Sequence, residues 1–426
     1  MKKATTIDEI YSVFAPEKFL KPEDEEFYVD LYSKDLKRFI QALLINELPT
    51  KSFFIAGQSG NGKTTILNLL STKYPKIDNK YEIIYMAGKE VFDYENIDIV
   101  DILLMMANKI VLTNPDLQSK YIKKFEELEA IKNGDLQKST STSKDNSEEL
   151  KASAKLSLSA KFFSMIKASG DFSSSYRLND TIREEARQIF KVQKKELITI
   201  INDLVLECKK INNKELLFII DDLEKKDNTD KLFLEDLRSL DDIEVTKIIT
   251  MPIHLRRTQT FQDKDIREFA LKLHGFDGKK NEEDRELLKE VIDKRIEKKS
   301  LINETIIDRI IDLSGGNLRQ LAKLIHFAAS EASTFEAEKI SEEELAYAKE
   351  HLERQLSSVV MLMRNFLKEI NENKMPKEDN KDSLDNLGKA IKMGLVYAYF
   401  NGKIWYELNP LAKELIDSYD GKWKIF

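Results

Sequence analysis

The 426-residue chain has one cysteine, four histidines, two tryptophans and 14 glycines. A single thiol, Cys208, excludes an internal disulfide framework and a four-cysteine zinc site, and fits a reducing cytoplasm. Cys208 lies in the apolar-periodic stretch ELITIINDLVLECKK, where a thiol reads as a small buried hydrophobe. His254, His274, His326 and His351 are scattered without ligand spacing, so no metal beyond Mg²⁺ is expected. No Ser-His-Asp or Cys-His arrangement is legible. No apolar run is long enough to span a bilayer, and MKKATTIDEIYSVFAPEKF lacks the apolar core of a secretory signal. Positive charge is also short. The 68 Lys and Arg face 75 Asp and Glu, a net charge of −7, which excludes a generally basic nucleic-acid coat and leaves local contacts only.

What is present is enough apolar residue, 42%, to fill more than one core. The length predicts two or three domains. Three of the scarce glycines fall within six positions, in Gly57-Gln58-Ser59-Gly60-Asn61-Gly62-Lys63-Thr64. This is G-x-x-x-x-G-K-[ST], a loop whose backbone N–H groups cradle phosphates while the lysine reaches their outer oxygens and the hydroxyl meets Mg²⁺. The apolar FFIA precedes it, and Thr65 opens the helical TTILNLL behind it. That strand–loop–helix context is the one a phosphate loop needs.

A second element is Leu216–Asp222, an apolar run ending in two carboxylates. A strand buried on both faces delivers its last residue to the carboxyl edge of the sheet, where ligands bind in open α/β folds. Asp221 is expected on the Mg²⁺ side, and Asp222 to orient or deprotonate an attacking water. Glu224 falls on the following turn.

Short apolar runs, KSFFIAG, YEIIYMA, ELLFIID and VTKIITMP with a weaker REFALKLHGF, alternate with helical patterns. This indicates an α/β fold with a parallel sheet. Between about 133 and 180 the composition turns Ser- and Lys-rich; its first half reads as a linker and its second, KLSLSAKFFSMIKASGDF, as an insertion hairpin or amphipathic patch. From about residue 282 to 370 the pattern is helical. In the C-terminal stretch, Asn401-Gly402 between VYAYF and KIWYEL is a hairpin signal, and with the flanking helices it spells a winged-helix module. Its aromatics, Tyr397, Tyr399, Phe400, Trp405 and Tyr406, are suited to base stacking. Only Lys389, Lys392 and Lys403 are local bases, which favours packing or partner docking over DNA.

GQSGNGKT, LLFIIDDLEK, IITMPIHLRR and LSGGNLRQL, followed by the winged-helix-like end, resemble the additional-strand P-loop ATPases. More narrowly they are similar to the AAA+ and STAND group, which includes initiator-like ATPases and bacterial antiphage-defence ATPases. The resemblance implies an N-terminal segment (1–35), a P-loop domain (36–276), a helical lid (277–338) and a winged-helix domain (339–426). It implies ATP with Mg²⁺, ATP-dependent self-association, and an effector on a separate chain acting in antiphage defence; a DNA-binding initiator or loader is the alternative. Carried onto this sequence, Lys63 and Thr64 take the β/γ-phosphates and Mg²⁺, with Asp221 on the metal side. Thr250 is the polar sensor or a plain strand-end threonine. Arg319 is the lid arginine or a solvated helix arginine, and the Gly315-Gly316-Asn317 opening favours the lid role. The group usually has glutamate after the metal-binding aspartate. Here Asp222 is one methylene shorter, which implies slow turnover. Arg183, Arg187, Arg256 and Arg257 are the candidates for an arginine acting on a neighbouring subunit.

Overall fold

The computed structural model describes residues 1–88, 97–117, 124, 180–225, 229–377, 380–400 and 404–419. The insert at 133–179 and the hairpin turn at 401–403 lie outside the described residues. The chain divides into two compact units: one comprises 1–42, 55–74 and 251–426, the other 43–54 and 75–250.

The sheet is five-stranded, in the order β2-β3-β4-β1-β5. Its strands are β1 (Ser52–Ala56), β2 (Tyr81–Ala87), β3 (Glu215–Asp221), β4 (Thr246–Met251) and β5 (Asp265–Glu268). β2 and β3 pair in parallel with Ala87 opposite Asp221, and β3 and β4 with Ile220 opposite Ile249. β4 therefore separates the loop-bearing strand from the acid-ended one, which is the additional strand that the resemblance implies. All five residues of β1 and all six of β4 are buried, as expected of strands with side chains covered on both faces. β5 is shorter and earlier than the run REFALKLHGF predicts. Only Asp265–Glu268 is strand, and the Phe269 N–H makes one further bond to the Ala56 carbonyl before the chain leaves the edge.

In the unit built on 43–54 and 75–250, the helix Ile99–Thr113 is buried nearly all round and packs against Lys194–Asn212. Cys208 is fully buried there, as a small hydrophobe. Arg187, on Asp180–Val192, reaches Asp101 with its Nη2 at 2.6 Å and Glu184 with its Nη1 at 2.8 Å.

In the other unit, three helices, Glu282–Asp293, Glu304–Ser314 and Leu318–Thr334, follow the sheet residues. Asn281, Asn303 and Asn317 cap them, each side chain accepting a backbone N–H of the first turn. The short N-terminal helix Ile7–Val13 packs on Leu318–Thr334, where the Tyr11 and His326 rings stack at 3.9 Å. Next come Glu342–Leu362 and Arg364–Asn373. The chain then forms the helix Lys381–Lys392, the antiparallel pair β6 (Val396–Phe400) and β7 (Ile404–Leu408), and the helix Pro410–Tyr419. This helix–hairpin–helix order is that of the expected winged-helix module. Among the described residues no helix is long and apolar enough to cross a membrane.

Candidate functional site

The loop after β1 carries the first group of site residues. Gly60 and Gly62 have φ of +93° and +79°, a left-handed backbone that only glycine adopts at little cost. At Gly60 the need is also steric. A Cβ there would collide with the Cβ of Arg319 and come within 2.7 Å of Asn317 Oδ1. The loop thus lies directly against the start of the helix Leu318–Thr334.

That contact is polar and specific. Asn317 Nδ2 donates to the Ser59 carbonyl at 2.9 Å and to Asn61 Oδ1 at 3.2 Å. Arg319 Nη1 donates to Ser59 Oγ at 2.6 Å. Asn61 Nδ2 donates to the Phe269 carbonyl at 2.9 Å, and the Tyr32 hydroxyl donates to the Asn61 carbonyl at 2.9 Å. Lys63 is buried, with its Nζ 2.8 Å from the Gly57 carbonyl and 3.1 Å from that of Gln58. Thr64 and Thr65 are half-buried, and Thr65 Oγ1 accepts the Leu20 N–H at 3.4 Å. Gln58, a wildcard in the motif, is also buried; its Nε2 donates to the Ala398 carbonyl on β6 at 2.9 Å.

β6 and β7 complete this group. The Tyr399 hydroxyl donates to the Gly315 carbonyl at 2.7 Å. A Cβ at Gly315 would sit 2.7 Å from the Tyr397 ring. Tyr397, Tyr399, Trp405 and Tyr406 are buried, so these rings pack and are not presented for stacking on bases. Phe400 is partly exposed, and the Arg256 guanidinium lies 5.6 Å from its ring centre. Arg256 also forms an ion pair with Glu268.

The second group lies in the other unit, at the carboxyl ends of β3 and β4. Asp221 closes β3, 1% exposed. Its Oδ2 accepts the Tyr85 hydroxyl of β2 at 2.6 Å, and its Oδ1 accepts the Asp222 N–H at 2.8 Å. Burial, and then the Asp221 carboxylate, push the Tyr85 hydroxyl well above its ordinary pKa, so the phenol remains the donor. Asp222 turns out of the strand at φ +67°. The 3₁₀ turn Leu223–Lys225 then brings Glu224 back. One ligand oxygen from each of Asp221, Asp222 and Glu224 lies within 4.8 Å of the others. Thr250, fully buried near the end of β4, donates from Oγ1 to Glu224 Oε2 at 2.6 Å.

Of the residues expected from sequence, Gly57 to Lys63 gather with Arg319, and Asp221 and Asp222 gather with Thr250. Arg187 and Arg256 are held by acids of their own chain, Arg183 is buried, and the Arg257 side chain lies outside the described part. Sequence reasoning missed Tyr85 and Asn317 and left Glu224 aside; it placed Gln58 in the loop but not its bond to β6. For Asn317 the signal was available, since it caps a helix within the quoted LSGGNLRQL. For Tyr85 there was none, because a strand tyrosine is ordinarily a packing residue.

The donor set fits a magnesium nucleotide. A glycine cradle beside a buried lysine suits phosphate, and clustered hard carboxylate oxygens suit Mg²⁺. Lys63 and the loop N–H groups would hold the phosphates, with Thr64 a candidate metal ligand; in the other unit Asp221 is the candidate for that role.

No protein-family model matches this sequence, and no curated protein matches it significantly. Solved structures similar in fold include the Aeropyrum pernix ORC1 protein in complex with DNA, 11% identical over 96% of each chain with a TM-score of 0.43. Another is the Aeropyrum pernix ORC2 protein in its ADPNP-ADP complexes, 12% identical over 96% of this chain and 98% of that one, TM-score 0.40. A third is the Drosophila ORC bound to DNA, 8% identical over 99% of this chain and 94% of that one, TM-score 0.42. By its phosphate loop, its acid-ended β3 and the strand β4 between β3 and β1, the chain has the α/β fold of the additional-strand P-loop ATPases.

Proposed function

We propose that this chain is an ATP-binding, slowly hydrolysing switch that couples nucleotide state to the position of its C-terminal module, and through it to self-association. The observation that carries the reading is the tie between the phosphate loop and both C-terminal elements. Gln58 bonds the hairpin at Ala398, and Ser59 bonds Arg319. A ligand shifts a conformational equilibrium only through different affinity for the two states. Phosphates on the loop must draw Lys63 Nζ away from the Gly57 and Gln58 carbonyls and compete with Ser59 for Arg319. The loop then changes the two anchors it offers to the lid and the hairpin.

Mg²⁺, when bound, neutralises phosphate charge. Lys63 and the loop amides orient the phosphates, Asp221 is fixed by the Tyr85 hydroxyl, and Arg319 reports the outermost phosphate. The buried hairpin aromatics favour docking over base stacking, so the output passes to a protein. The resemblance to defence ATPases is what supports reading that partner as an effector on a separate chain.

The test is the solution mass of the purified chain, without nucleotide and with Mg²⁺ plus a slowly hydrolysed ATP analogue, alongside limited proteolysis. A nucleotide-dependent rise to a defined oligomer, with altered cleavage of the C-terminal module, is expected. Unchanged mass and unchanged cleavage in a chain that binds the analogue would refute the switch.

A further inference from the structure

We infer that Glu224, held by Thr250, aligns the attacking water, and that Asp222 does not. This rests on the ATPase reading above and assigns its chemistry to a residue that sequence spacing passes over.

Three features divide the labour among the acids. First, a hydroxyl has one proton to give, and Thr250 gives its own to Glu224 Oε2 at 2.6 Å. Hydroxyl-to-carboxylate bonds of this length are charge-assisted. Because Thr250 is 0% exposed and fixed in β4, the Glu224 carboxylate is held in one orientation. The residue expected to act as the polar sensor therefore works as a positioning residue for Glu224.

Second, Asp222 serves the backbone. Its left-handed φ of +67° ends the strand, and its N–H caps Asp221 Oδ1 at 2.8 Å. Its Cβ lies against Gly88, where a side-chain carbon would approach to 3.2 Å. Asn and Asp tolerate this conformation better than other residues, which accounts for an aspartate where the resembled group has glutamate.

Third, Asp221 is fixed separately, by Tyr85 on Oδ2. It is left to the metal side, while Glu224, one methylene longer than Asp222, carries the carboxylate that Thr250 holds in place.

In the step assigned, the water oxygen attacks the γ-phosphorus and its proton passes to the Glu224 carboxylate. The bond from the γ-phosphorus to the bridging oxygen breaks with its electron pair staying on ADP. Glu224 returns the proton to the phosphate released, so ATP and water give ADP and phosphate.

The full-length chain is compared with Glu224→Gln, Asp222→Asn, Thr250→Val and the Glu224→Gln/Thr250→Val double variant. Thermal unfolding confirms the fold, a fluorescent ATP analogue reads Mg²⁺-dependent affinity, and single-turnover assays read hydrolysis and the nucleotide that stays bound. Glu224→Gln should keep its Mg²⁺-dependent affinity and retain ATP, while hydrolysis falls by about 10²- to 10⁴-fold. Asp222→Asn should lose less than about tenfold. Thr250→Val should slow turnover, and the double variant should be no slower than Glu224→Gln alone, as for residues acting as a unit.

The assignment is overturned if Asp222→Asn is as slow as Glu224→Gln. It is equally overturned if Glu224→Gln loses Mg²⁺-dependent affinity, which would make Glu224 a metal ligand, or if the unaltered chain binds ATP without hydrolysing it. An unaltered chain that binds no ATP overturns the ATPase reading and this assignment together.

Discussion

Gln58, the second residue of the phosphate loop, donates from Nε2 to the backbone carbonyl of Ala398, 340 residues later, at 2.9 Å. Both groups are buried, so the bond is a direct link from the loop to the C-terminal hairpin. Gln58→Ala leaves that carbonyl without its donor. The expected loss is about 1–3 kcal/mol of stability, read from the unfolding midpoint, with faster proteolysis of the C-terminal module. A variant with unchanged cleavage in every nucleotide state would show that the bond transmits nothing.

On the proposed reading, Lys63→Ala should weaken nucleotide binding by about 100-fold or more, since a hydrogen bond to a charged partner contributes roughly 1.5–3 kcal/mol and the lysine would reach two phosphates. Titration with a fluorescent ATP analogue reads this. Near-normal affinity in a folded variant would remove the phosphate loop from the site.

Gly60→Ala combines a left-handed φ with a collision against the Arg319 Cβ. Backbone strain of this kind costs on the order of 1–3 kcal/mol. The loop should be displaced from Asn317 and Arg319, with both melting temperature and nucleotide affinity reduced. Arg319→Ala should keep nucleotide affinity but uncouple assembly from it, so unchanged nucleotide-dependent mass would deny Arg319 the reporting role.

Arg187 and Asp101 form an ion pair whose side chains are 9% and 4% exposed. Removing one partner of such a pair strands the other charge, at about 3–5 kcal/mol. Urea unfolding of Arg187→Ala should show that loss. A variant of normal stability that failed only in mixed assemblies would instead make Arg187 the arginine acting across subunits.

The phosphate loop was readable in the sequence because its chemistry is local. Glycines, lysine and threonine must stand at fixed spacing whatever surrounds them. The strands were readable because burial on both faces demands unbroken apolar runs, and LLFIIDD announced its end by its first two charges. β5 was displaced because an edge strand has weaker apolar constraint, and its four residues are all only half-buried.

What the sequence alone determined is therefore the α/β class, the loop, the acid-ended strand and the helix–hairpin–helix end. Tertiary structure alone decided which carboxylate Thr250 holds, which tyrosine fixes Asp221, and that Gln58 reaches the hairpin. The physical reason is separation along the chain. Tyr85 and Asp221 are 136 residues apart, Thr250 and Glu224 26, and Gln58 and Ala398 340. Hydrogen bonds over such distances leave no periodicity or spacing to read: the strand order sets Tyr85 beside Asp221, the left-handed turn at Asp222 returns Glu224 toward Thr250, and folding alone seats β6 on the loop.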